Sequence, residues 1–127
     1  MAHPQLYTEA DRHLAQLRMV CLSLPETVES EAWGRPTFRA GPTKMFAVFG
    51  SHARESASVI FKPDSADRRG LMSDPRIFVP RYFGPSGWLA LDLDTAPVDW
   101  TEVAELMDAS YRQVALKRML KVLDAEQ

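Results

Sequence analysis

The chain has 127 residues, of which 46% are hydrophobic and 25% charged, with nine Pro and six Gly; this is the make-up of an ordinary globular domain and excludes collagenous, disordered and membrane-spanning classes. At this length a single domain covering 1–127 is expected, able to hide about two thirds of its open-chain surface. One cysteine, Cys21, allows no internal disulfide and no zinc knuckle, and the start MAHPQLYTEADRH has neither a basic segment leading into an apolar run nor an Ala-x-Ala site. The sequence therefore predicts a cytoplasmic protein with no membrane association and no metal framework.

Thr8, ahead of Glu9 and Asp11, has the character of a helix N-cap, and Leu14, Leu17, Val20 and Cys21 recur at three- and four-residue steps. The spacing predicts an amphipathic helix over 8–22, stopped before Pro25, with Cys21 on its apolar stripe as a small core residue rather than a nucleophile. From 27 to 61 the period changes to alternation. Strands are predicted over 27–32, 36–40, 44–49 and 57–62, with Trp33-Gly34-Arg35 and Gly41-Pro42-Thr43 as turns and 50–56 as a looser loop, the short connections making neighbours antiparallel. Strict alternation in the third strand sets Met45, Ala47 and Phe49 against Lys44, Phe46 and Val48.

Pro63-Asp64-Ser65 opens a short helix to about Met72, in which Arg68 and Arg69 are solvated, and Ile77-Phe78-Val79 forms a loop or short strand. Residues 88–94 are the last strand, with Leu89, Leu91 and Leu93 on one side. Asp99, three residues before Glu102, predicts the N-cap of a helix carrying Trp100, Val103, Leu106, Met107 and Tyr111 along one side, and a final turn or helix covers 116–125. The order α-β-β-β-β-α-β-α predicts a two-layer α+β domain: an antiparallel sheet of about five strands with helices on one face.

Charge is segregated along the chain. Residues 1–32 carry −3, residues 33–81 carry +5 and residues 82–127 carry −4, within a total of −2. A basic middle can focus an anionic ligand, because local potential governs encounter; alternatively, the acidic ends fold back and neutralise it. There is no G-x-x-x-x-G-K-[ST], G-x-G-x-x-G or G-x-S-x-G, which removes the entry residues for phosphate-cradle, dinucleotide and hydrolase-elbow chemistry. His3, His13 and His52 lack metal-ligand spacing. Asp92 and Asp94 project to one side and suit either Mg²⁺, with help from Asp99, or a solvated turn. Ser51-His52 and Ser110-Tyr111 lack an identifiable base and orienting group, so no catalytic machinery is predicted. What remains is cations interleaved with rings. Trp33, Arg35, Phe38, Arg39, Lys44 and Phe46 alternate so that aromatic faces and cations share a sheet surface suited to phosphate contact and stacking; the alternative is that the rings are core and the cations keep the other face wet.

Cys21-Leu22-Ser23-Leu24-Pro25, Trp33-Gly34-Arg35-Pro36-Thr37-Phe38-Arg39, Lys44-Met45-Phe46-Ala47, Gly87-Trp88-Leu89-Ala90-Leu91-Asp92-Leu93 and Ser110-Tyr111-Arg112-Gln113-Val114-Ala115-Leu116-Lys117 occur in this order. Through these motifs the chain resembles the MmcQ/YjbR family over about 12–121. The resemblance implies a small bacterial α+β domain, similar in topology to CyaY and secretion-chaperone folds, and a non-enzymatic DNA-binding role of the double-wing type. Under it, Trp33, Arg35, Arg39, Lys44 and Lys62 would meet duplex DNA on the sheet region, with Arg112 and Lys117 extending the surface of a monomer; no catalytic residue, cofactor or metal ligand follows. Leu116 stands where the family frequently has Pro, which predicts a more continuous final helix. The alternative function is a small-ligand or protein-partner module built on an aromatic cleft of Trp33, Trp88 and Tyr111.

Overall fold

The computed structural model describes residues 5–9, 11–50 and 57–126. The chain runs α1 (Arg12–Leu22), β1 (Thr27–Ala32), β2 (Arg35–Ala40), β3 (Met45–Phe49), β4 (Ser58–Phe61), α2 (Ser65–Met72), β5 (Ile77–Phe78), a 3₁₀ turn (Gly84–Ser86), β6 (Leu89–Asp92), α3 (Trp100–Arg112) and α4 (Lys117–Ala125). Its strands form one sheet in the order β1-β2-β3-β4-β6-β5, every pairing antiparallel. The expected α+β class is present. The described sheet has six strands rather than about five, because Ile77 and Phe78 pair with Leu91 and Ala90 at the edge, a contact invisible to periodicity in so short a run.

The main core lies between the sheet and the helices. Leu14, Leu17 and Cys21 of α1, Val103, Met107 and Tyr111 of α3, and Met119 and Leu123 of α4 meet Phe38, Phe46, Phe61, Leu89 and Leu91 of the strands. Each such large side chain contributes about 1.5–3 kcal/mol by leaving water. The opposite face carries a second, smaller cluster of Val48, Ile60, Trp88 and Ala90, with Met45, Phe78 and Phe83 packed on it. Phe83 comes from the segment between β5 and β6, so that segment partly roofs the helix-free face. Among the described residues no helix is long and apolar enough to cross a membrane.

Four local readings change. The first helix is capped by Asp11, not Thr8: Asp11 Oδ1 accepts from the backbone N–H groups of His13 at 2.8 Å and Leu14 at 3.3 Å, while Thr8 only lends its carbonyl to Asp11 N. The first hairpin turn is the two residues Trp33 and Gly34, with φ of 55° and 75°, and Arg35 already pairs with Ala32; positive φ at both central residues is the geometry that follows strand twist. Strict alternation fails in β3 because the register shifts between Phe38 and Arg39. Phe46, Ala47 and Phe49 all enter the main core, whereas Met45 and Val48 face the other side. Finally, α3 ends at Arg112 and Leu116 has an extended backbone ahead of α4, so the last helices are separate despite the missing Pro.

Candidate nucleic-acid interface

The groove is built by strand alternation. In β2, Phe38 and Ala40 point into the main core, which sends Arg35, Thr37 and Arg39 to the helix-free face. Arg39 pairs across to Met45, which lies against the small cluster. Lys44 enters from the β2–β3 turn, and Lys62 follows the last residue of β4. These cations join Trp33, Ser86 and Trp88 around a groove of about 410 Å³. Among the described residues no carboxylate lines it. Arg39, Lys44 and Lys62 make no ion pair among the described residues.

The rings form a chain along the groove. Trp33 meets Phe83 edge to face, with centroids 5.7 Å apart, and Phe83 meets Trp88 at 5.9 Å. Trp88 is nearly buried and forms the floor; Trp33 keeps 40% of its surface open at the rim. Beneath the sheet, Ser110 of α3 fixes the frame. Its Oγ donates to the Phe46 carbonyl at 2.6 Å and accepts from the Lys62 N–H at 2.9 Å, joining the irregular start of β3 to the end of β4.

A YjbR family model matches residues 22–113, most of the length. The chain belongs to the YjbR family. Among solved structures, a Deinococcus radiodurans protein with a DUF419 family-model domain is similar at 23% identity and a TM-score of 0.65, over 77% of this chain and 75% of that one. A Pseudomonas syringae protein is similar at 14% identity and a TM-score of 0.64, over 81% of this chain and 97% of that one. Both share the fold. No curated protein matches.

On this YjbR-family fold four of the seven expected contact residues, Trp33, Arg39, Lys44 and Lys62, come together in one groove. The other three do not. Arg35 is on the same sheet face but only 3% exposed, which lowers its pKa through burial and takes it out of reach of a surface ligand. Arg112 is held by Asp108 at 2.6 Å and Asp124 at 2.9 Å, and these carboxylates raise its pKa further. Lys117 opens α4 and does not line the groove. The expected aromatic cleft is also divided. Trp33 and Trp88 share the groove, but Tyr111 lies buried in the main core, edge-on to Phe46 and donating to the Pro25 carbonyl at 2.8 Å.

The acidic ends do neutralise cations, though mostly their own. Arg18 is clasped by Glu9 and Glu29, Arg118 by Glu26 and Arg112 by Asp108 and Asp124, whereas from the basic middle Arg76 alone among the described residues is paired, to Asp74 and Glu102. Asp92 and Asp94 are occupied as turn acceptors: Asp92 Oδ1 takes Asp94 N and Thr95 N, and Asp94 Oδ2 takes Ala57 N. Among the described residues no three His, Cys, Asp or Glu side chains gather as a metal site. Ser51 and His52 lie outside the described residues. A larger cleft of about 600 Å³, between the start of α1 and the β6–α3 loop, sets Arg12 and His13 beside Asp94, with Nε2 of His13 3.4 Å from Oδ1; its mixed signs suit an anion less. Met45, Phe83, Ser86 and Val114 also frame the groove or its aromatic chain. Sequence reading missed them because the bulge, the loop before β6 and, for Val114, the link between α3 and α4 bring them there.

Proposed function

We propose that this protein is a non-enzymatic nucleic-acid-binding protein of the bacterial cytoplasm, where a lone thiol such as Cys21 stays reduced. Its contact surface is the groove on the helix-free sheet face. Arg39, Lys44 and Lys62 meet backbone phosphates, and Trp33 supplies a ring for stacking. One observation carries this reading: three cations that have no carboxylate partner among the described residues share a groove, lined by no described carboxylate, with a partly open tryptophan. Family membership is compatible with it.

The test is fluorescence anisotropy of labelled DNA at low salt. The wild type binds, and Arg39→Glu with Lys44→Glu together abolishes binding while the far-ultraviolet spectrum is kept. Absence of wild-type binding, or binding indifferent to the double charge reversal, contradicts the reading. A second reading, a small anionic aromatic ligand in the same groove, is favoured by the groove's volume, which falls within the usual ligand range. A thermal-shift screen separates the two, since a stabilising metabolite supports the second reading and stabilisation by oligonucleotide alone the first.

A further inference from the structure

We infer that the groove takes a single strand, one base lying against Trp33, rather than the flank of a duplex; the inference rests on the nucleic-acid reading above and goes beyond it. The backbone of Trp33 is the first observation. Its φ of 55° lies in the left-handed region, uncommon for any residue with a side chain and an outlier for a bulky one. The two-residue turn it occupies prefers Asn, Asp or Gly at that position, so turn chemistry alone selects against Trp. Yet the ring is held at the groove rim, its position set by edge contact with Phe83. Strained residues of this kind concentrate at ligand clamps.

The shape of the cationic site is the second observation. A duplex is read by a convex element, a helix or two-stranded ribbon, entering its groove. Here Arg39, Lys44 and Lys62 instead surround a depression of about 410 Å³ floored by Trp88. A stacked pair inside a helix presents no base face to such a depression, whereas an unpaired nucleotide presents both a face and a phosphate. The third observation is charge. With a net −2, the whole molecule gives a polyanion no general attraction, which leaves local phosphate contact plus stacking as the source of affinity.

The experiment uses the full-length wild type and three probes at low salt: an oligothymidylate of about ten nucleotides, a hairpin duplex with a stem of about ten base pairs, and a strand of the same length made abasic at every position. The expected result is single-strand binding at least about tenfold tighter than duplex binding, quenching of tryptophan fluorescence, and weakened binding of the abasic probe. Trp33→Asn, which suits the turn, weakens single-strand binding roughly 5- to 150-fold, the worth of one stacked base, and Trp33→Phe retains most of it. Duplex bound as tightly as the single strand, or an abasic probe bound as tightly as the intact one by the wild type, overturns the inference while leaving the groove a nucleic-acid site. Failure of every probe removes both readings. The abasic comparison needs no variant, so it decides even if Trp33→Asn fails to fold.

Discussion

Arg35 holds a buried charge with no carboxylate beside it among the described residues. Its Nε has no hydrogen-bond partner there, and its Nη1 occupies the space over Gly50, 2.6 Å from where a Cβ would stand. Gly50 is thus required twice, for that space and for its φ of +97°. Gly50→Ala is expected to destabilise the protein by about 2–3 kcal/mol in urea unfolding, because the new methyl displaces a buried guanidinium and strains the backbone. Arg35→Met, by contrast, removes an uncompensated buried charge at similar length and is expected to leave stability unchanged or raise it by about 1 kcal/mol. Arg35 shows where residue-level reading stops. Alternation placed it correctly on the face of Arg39, but the turn, the register and Gly50 decide that one guanidinium is buried and the other open, and none of these is local in sequence.

At the scale of elements, Ser110 shows how a helix sets the irregular edge of the groove. Ser110→Ala leaves the Phe46 carbonyl and the Lys62 N–H without their partner, which is expected to cost about 1–3 kcal/mol and to weaken oligonucleotide binding through displacement of Lys62. Equilibrium unfolding and anisotropy on the same variant check both effects. Cys21 reports on α1. Burial pushes its thiol well above the usual range, so in the native protein it should resist a thiol reagent at neutral pH and react only at the rate of unfolding. The helices α2, α3 and α4, and the existence of α1 and of strands β1 to β4 and β6, were legible because they repeat at 3.6 or 2 residues over enough length to leave a pattern. The bulge in β3 and the two-residue β5 were not, since each exists only through pairing with another strand. The start of α1 moved because Asp11 outcompetes Thr8 for the free amides.

Across the whole molecule the ion pairs among the described residues gather mainly in the two acidic ends, and in the basic middle Arg76 is the one paired cation among those residues. Arg76 draws Asp74 below the ordinary carboxylate range, mainly by donating hydrogen bonds to its carboxylate, and Arg18 does the same to Glu9. A carboxylate with a lowered folded pKa stabilises the fold above its unfolded value, about 4, and loses that contribution as pH falls through its folded value. Stability should therefore hold from neutral pH down to about 4 and drop below it, and Asp74→Asn should flatten that drop; urea midpoints across the pH series check this. The groove itself was half legible. The sequence showed the cations Arg39, Lys44 and Lys62 and the ring of Trp33, but Phe38 and Phe46, expected on the same surface, lie in the main core, and the pairing of Arg112, the burial of Tyr111 and the roof carrying Phe83 and Ser86 come from tertiary structure.

The most direct test of the central claim is the salt dependence of oligonucleotide affinity, measured by anisotropy for the wild type and for the Arg39→Glu, Lys44→Glu double variant. With three groove cations each neutralising one phosphate, a plot of log affinity against log salt should have a slope of about −2 for a single strand, and the double variant should lose affinity and most of that slope. Equal affinities and equal slopes for the two proteins would contradict the claim that Arg39, Lys44 and Lys62 meet phosphates.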